Sequence, residues 1–168
     1  MENVPRSKES TYLSFRIGDE IFAINAENVI EVVRNEGVNP VPKTAEYVKG
    51  ILNFRGDILS VVCARKKLNI PEIEDAPRKV IIVIEFNINK DVSKLGIIAD
   101  KVMGVLNIQE NDIQPVLEFG NYYNPEFLRG ALRIKGSIIT ILNLERIFSE
   151  EEVKIINPVK EKKKNRKQ

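Results

Sequence analysis

The second half of this chain repeats the first. Residues 45–68, AEYVKGILNFRGDILSVVCARKKL, align with residues 125–148, PEFLRGALRIKGSIITILNLERIF, at an offset of 80. The alignment sets Glu46 against Glu126, Tyr47 against Phe127, Lys49 against Arg129, Gly50 against Gly130, Arg55 against Lys135, Gly56 against Gly136 and Ile58 against Ile138. An upstream segment recurs too: FAINAENVIEVV (Phe22 to Val33) matches LGIIADKVMGVL (Leu95 to Leu106). Identities are few, but side-chain class is kept, and both copies hold their glycines six residues apart. The period lies outside the short solenoid and propeller repeats, so the duplication predicts a pair of β-rich subdomains with a seam between them.

The composition narrows what such a seam does. With 168 residues the chain suits one domain, or two small ones sharing a core. It contains no histidine, so the commonest general base and the commonest metal ligand are both missing; tryptophan is also absent. No nucleophile–base set can be assembled, which argues against a hydrolase working through carboxylates. A single cysteine, Cys63, excludes an internal disulfide framework. Set in the apolar run ILSVVCA without a histidine, it reads as inert packing. No run approaches the ~18 apolar residues of a membrane span, and MENVPRSKES carries no signal-peptide core. These features predict a cytoplasmic protein. The net charge of +2 hides a division: the last nine residues, KEKKKNRKQ, carry +5 and the other 159 sum to −3. A small-barrel nucleic-acid binder acting through this basic tail is the alternative reading. That class wants aromatic stacking platforms on a basic face, and the body here is net acidic.

Local patterns predict strands throughout. Leu13, Phe15 and Ile17 alternate with Tyr12, Ser14 and Arg16, and Glu20–Ile24 returns after the Gly18-Asp19 turn. Asn25 is placed to cap a helical turn before Val29–Val33, and Thr44 to cap another over TAEY. Asn124-Pro125-Glu126-Phe127 has the same signature. Hairpins are expected around Arg55-Gly56-Asp57 and Lys135-Gly136-Ser137, and the NINKDVSK turn joins Val80–Phe86 to Leu95–Ile98. Ser149 and Glu152 form a capping box for a short C-terminal helix with Val153 and Ile156 as its apolar face. About five short strands per half suit two closed barrels, which solve the edge problem, welded together by crossing segments.

FRIGDEIFAINAENVIEVV, EYVKGILNFRGDILSVV, KLGIIADKVMGVL, IQPVLEFG and FLRGALRIKGSIITILNLERIF, in this order, closely resemble the CheW family of bacterial chemotaxis coupling proteins. The likeness runs from about Tyr12 to Ile155, and KG-x-x-N-x-RG (Lys49 to Gly56) is its most specific part. It implies an all-β fold of two intertwined five-stranded SH3-like barrels with short helical turns and a short C-terminal helix. The corresponding division is a flexible N-terminus over 1–10, a CheW-like domain over 11–156 with a linker near 71–79, and a disordered basic tail over 157–168.

The resemblance also implies a non-catalytic adaptor without cofactor or metal. Such a protein ties the cytoplasmic tips of methyl-accepting chemotaxis receptors to the regulatory domain of the histidine kinase CheA. It implies a cytoplasmic monomer that assembles into rings with the kinase at membrane-associated arrays, with no nucleic acid and no membrane insertion of its own. Matched family positions put receptor binding on Val29, Glu31, Gly50, Asn53, Arg55, Gly96 and Val105. A helical receptor tip needs an apolar groove for one stripe, and the repeat adds Val32 and Val102 to that groove. Glu31 and Arg55 are expected to pair at its rim, and Gly50 and Gly96 to admit another backbone. Turns near Gly56 and Gly136 are the candidates for kinase contact. Departures from the family pattern are Ser60 where proline is usual, Cys63 where aspartate is usual, and Phe54 where leucine is common.

Overall fold

The computed structural model describes residues 8–42, 45–70, 80–115 and 124–156. Within them the alternating segments form ten strands: β1 (Glu9–Ile17), β2 (Glu20–Asn25), β3 (Val29–Arg34), β4 (Val48–Phe54), β5 (Asp57–Cys63), β6 (Val80–Ile88), β7 (Asp91–Ala99), β8 (Lys101–Gln109), β9 (Leu128–Ile134) and β10 (Ser137–Leu142). They build two five-stranded sheets, ordered β8-β1-β2-β10-β9 and β3-β6-β7-β5-β4. The N-terminal polar stretch becomes ordered earlier than expected, because Glu9 and Ser10 already pair with Gln109 and Ile108.

Neither sheet corresponds to one half of the chain. The β1–β2 hairpin of the first half sits among β8, β9 and β10 of the second, and the β6–β7 hairpin sits among β3, β4 and β5. The chain crosses between sheets at a 3-10 turn, Ala26–Asn28, and again at the single residue Asp100. The segment 71–79, expected as the link between halves, lies outside the described residues. The strands flanking it, β5 and β6, belong to the same sheet, so it does not divide one barrel from the other.

Strand register follows the repeat. Ile141 pairs with Ala23 in one sheet and Val61 with Gly96 in the other, related by the sequence offsets. Likewise Leu13 faces Val105 as Ile82 faces Val32, and Phe15 faces Val102 as Ile84 faces Val29. Each sheet therefore has one face toward its own small cluster and the other toward a shared core. Tyr12, Ala23, Ile108, Leu132, Ile139 and Ile141 fill the first sheet. Leu59, Val61, Ile81, Val83 and Ile98 fill the second, with Ile30 and Val33 of one edge strand and Leu52 and Phe54 of the other packed on the same cluster. Both edges of the second sheet thus meet over one core, which is how a five-stranded sheet curls to protect its edges. Between the sheets, Phe15, Phe22, Ile24, Ile82, Ile84, Phe86 and Leu95 make the seam.

The local signals act as their chemistry requires. Asn25 and Asn124 accept from the amides of Glu27 and Glu126 at 2.9 and 3.0 Å, capping turns at 26–28 and 125–127. The turn expected at Thr44 lies outside the described residues. Ser149 Oγ accepts from the Glu152 amide at 3.1 Å and opens a C-terminal helix. Two single-turn helices that no sequence signal marked, α1 (Ala64–Lys67) and α2 (Leu144–Ile147), follow β5 and β10; the C-terminal helix, α3, spans Glu150–Ile156. At the two equivalent hairpins both turn residues have positive φ: 50° and 84° at Arg55 and Gly56, 49° and 82° at Lys135 and Gly136. That is the two-residue turn whose twist matches the flanking strands.

Gly50 and Gly130 serve a different need. A Cβ on Gly50 would lie 2.2 Å from the Asn39 carbonyl oxygen, and one on Gly130 would lie 2.6 Å from that of Gln114. These carbonyls belong to segments that bridge to Ile51 and Ala131. Gly96 presses instead on the Ile81 side chain, which can shift, and its repeat partner Ala23 already carries a Cβ. Gly50→Ala is therefore expected to lower unfolding free energy by about 2–4 kcal/mol in urea titration, and Gly96→Ala by roughly half of that or less.

Candidate functional site

β3 and β8 are repeat-related edge strands, one in each sheet, and each carries valines that run onto the shared core. Residues paired across a ladder share a face, so Val32 lies on the face carrying Ile82 and Val105 on the face carrying Leu13. Both of those partners belong to the shared core. Val29 and Val102 pack against this core half-buried, while Val32 and Val105 emerge from it with 38% and 64% exposure. The four valines form two repeat-related pairs running from the core to solvent. Single exposed apolar residues are ordinary, whereas apolar residues continuous with a core along two strands make a surface that water solvates poorly.

At the end of β4, Arg55 Nη2 lies 3.1 Å from Glu31 Oε1. The guanidinium also stands 4.9 Å from the centre of the Phe54 ring, so the unusual phenylalanine acts as a platform for it. The pair joins β3 to the β4–β5 turn, across the two edges of the second sheet. Both side chains are well exposed, and an exposed pair stabilises by only ~0–1 kcal/mol. The second copy has Gly104 in place of Glu31 and lacks the pair. A cavity of about 430 Å³ opens between β8 and β9, with Ile108 and Leu132 beneath it and Asn107, Gln114 and Arg133 around it.

Asn53 is exposed on β4, close in sequence to this pair. Gly50 and Gly96 are placed otherwise than expected. Both are buried, and the space beside them is taken by Asn39 and by Ile81 of the same chain, so neither offers backbone to a partner.

Comparison with known proteins decides the family. Residues 11–152 match the CheW-like domain model. The chain belongs to the CheW family. Similar relatives include proteins named Chemotaxis protein CheW from Thermotoga maritima, 33% identical over 88% of this chain and 93% of that one, and from Rhizobium meliloti, 31% identical over 83% and 88%. The crystal structure of the scaffolding protein TtCheW from Thermoanaerobacter tengcongensis superposes with a TM-score of 0.74 at 27% identity, covering 86% of this chain and 96% of that one. This is a family of non-catalytic chemotaxis coupling and scaffolding proteins. Among the described residues no helix is long and apolar enough to cross a membrane.

In this CheW-family chain the seam is closed elsewhere by α3. Ile156 is buried in the shared core with Val153 beside it, and the carbonyl of Ile156 accepts from the Ser60 hydroxyl. Ser60, a departure from the family pattern, thus ties the helix end to β5. Cys63, another departure, stands at the N-cap of α1, is buried and makes no side-chain capping bond. Lys67 reaches from α1 to Glu152 Oε2 at 2.5 Å, and the Tyr47 hydroxyl donates to the same oxygen at 2.6 Å. The Lys67 ammonium also lies 4.7, 5.3 and 5.5 Å from the ring centres of Tyr47, Phe127 and Phe148. Three aromatic faces and one carboxylate compensate its partial burial. No local pattern announced this cage, because its members come from four separate segments.

A second network closes the first sheet. The Tyr12 hydroxyl donates to Glu110 Oε1 and accepts from Arg129 Nη1, each at 2.9 Å, while Arg129 Nη2 also pairs with Glu110. Burial, reinforced by the Glu110 hydrogen bond, pushes the Tyr12 hydroxyl up to about 12. Burial and the Glu152 contact push the Tyr47 hydroxyl up as well.

Burial alone would raise the Glu152 carboxyl, but hydrogen bonds from Lys67 and Tyr47 outweigh it and hold the group below the ordinary 4.5. A carboxyl depressed in the folded state contributes stability that is full above its unfolded value and is lost as pH falls through the folded one. Glu152→Gln is expected to cost about 1–2 kcal/mol at pH 7. It is also expected to flatten the acid limb of the stability curve below that ordinary value. Chemical denaturation at several pH values measures both effects.

Proposed function

We propose that this protein couples chemoreceptor tips to the histidine kinase CheA in cytoplasmic arrays, binding the receptor at the valine-lined opening of the seam. The observation supporting this reading is the continuity of Val29, Val32, Val102 and Val105 with the shared core on repeat-related edge strands. A receptor tip is helical, and a helix buries one apolar stripe best in a trough with two walls. The Glu31–Arg55 pair beside β3 supplies direction, because charges at an interface rim select partner and register more than they add affinity. Asn53 contributes a polar contact on the same rim. Gly50 and Gly96 act indirectly, by letting Asn39 and Ile81 pack where they do.

For the kinase we favour the equivalent hairpin ends at Gly56 and Gly136. Ile58 and Ile138 stand beside them with 49% and 39% exposure, apolar side chains at equivalent places in the two copies. Two like hairpins suit a protein that joins kinase partners into rings, with this chain monomeric on its own.

Pull-down with the CheA regulatory domain and with receptor signalling tips, separately and together, tests both partners. Val105→Arg is expected to weaken receptor-tip binding at least about tenfold, while changing unfolding free energy by no more than ~0.5 kcal/mol. Arg55→Glu is expected to weaken receptor recruitment with a shift of only ~0–1 kcal/mol in stability, since an exposed pair contributes little. Normal receptor recruitment by both variants would remove the seam opening as the binding site.

A further inference from the structure

We infer that Arg65 and Asp100 form a buried lock that positions β8, one wall of the seam opening, against the second sheet. This rests on the receptor-groove reading above. Asp100 is the only residue between β7 in the second sheet and β8 in the first. The other crossing, at Ala26–Asn28, has three residues and is held by Asn28, whose side-chain Nδ2 donates to the Glu85 carbonyl at 2.9 Å.

Asp100 is gripped from both sheets. From the side of the second, Arg65 on α1 brings Nη2 to 3.2 Å from Asp100 Oδ2, with side chains only 3% and 11% exposed. From the first, the Gly18 amide at the β1–β2 turn donates to the same oxygen at 2.6 Å. The Asp100 amide in turn donates to the Arg16 carbonyl at 3.0 Å. Gly18 lies against the arginine, since a Cβ there would meet the guanidinium at 3.4 Å. One carboxylate therefore joins a β1–β2 backbone, a β5–α1 side chain and the start of β8.

The repeat shows that the fold does not demand this pair. The positions matching Arg65 and Asp100 are Glu145 and Glu27, two acids, both exposed. A buried pair adds little net stability against apolar replacements, but a partner left alone in the core is costly. Such a pair fixes an arrangement. The strand it fixes is an edge strand, laddered on one side to β1, and it carries Val102 two residues beyond Asp100. Arg65 and Asp100 touch no receptor in this account; they are positioning residues.

The test uses the full-length protein with Asp100→Asn, with the neutral double variant Arg65→Met/Asp100→Asn, and with Arg65→Lys. The double variant removes both charges of this pair together and remains foldable where the single aspartate change is not. Amide hydrogen exchange along β8 and affinity for receptor tips and for the kinase domain are measured. The expected result is faster exchange across β8 and receptor affinity reduced about three- to tenfold in the folded double variant. Kinase affinity stays unchanged, and Arg65→Lys recovers part of the receptor affinity. Native β8 exchange with native receptor affinity in the folded double variant would overturn the lock. Val105→Arg and Arg55→Glu run alongside separate the two ideas: if both bind receptor normally the groove reading fails, and β8 exchange alone then judges the lock.

Discussion

Each sheet is completed by strands lent from the other half of the chain, and the two short parallel ladders that accomplish this carry the architecture. β10 runs beside β2 over Ile139–Ile141, and β5 beside β7 over Val61–Cys63. Remove either ladder and a hairpin is left with an open edge and an uncovered apolar face, which is marginal in water. The halves therefore cannot fold as beads on a string, although the duplication is written in the sequence as if they could. The exchange also makes most contacts non-local, which favours a slow, cooperative transition. For a scaffold this is useful, because the angle between the sheets is set by backbone pairing as well as by side-chain packing.

The two copies keep their apolar skeleton and differ in their polar chemistry. Register pairs match across the repeat, yet Glu31 with Arg55 in one copy corresponds to Gly104 with Lys135 in the other. A symmetric core tolerates only volume-conserving change, whereas rim residues are free to diverge. The result is a body with two similar ends and unlike surfaces. An adaptor that contacts two kinds of partner needs that combination, since specificity depends on polar groups that suit one partner and not the other.

Much of the fold was legible because it is local or periodic. The alternation of Leu13, Phe15 and Ile17, the asparagine caps, the capping box at Ser149 and the two glycine hairpins depend on residues within a few positions of one another. The sequence offsets even anticipate ladder register: Ala23 and Gly96 occupy equivalent parallel pairs. The Glu31–Arg55 contact was legible through family likeness. The glycines were legible as constraints but misread in purpose, because Gly50 answers to Asn39, a residue in a loop with no period to trace. Arg65 was hidden for the same reason: it reads as one base in a run of three, and only the crossing at Asp100 brings a carboxylate to it.

Helix α1 anchors both sides of the seam. In four residues it carries Arg65, committed to the joint at Asp100, and Lys67, committed to Glu152 on α3. The equivalent turn, α2, offers Glu145, an exposed acid, and Ile147, a buried core residue. The second half thus uses its turn to fill the seam, and the first uses its turn to hold down α3 and the crossing at Asp100. Apolar packing alone would let two sheets slide by small steps, since hydrophobic contact has no direction. A guanidinium and an ammonium withdrawn from water find compensation only where their carboxylates and rings converge, so displacing the sheets strands a charge before it empties a cavity. Direction at the seam comes from these two cations, and the valine-lined opening inherits it.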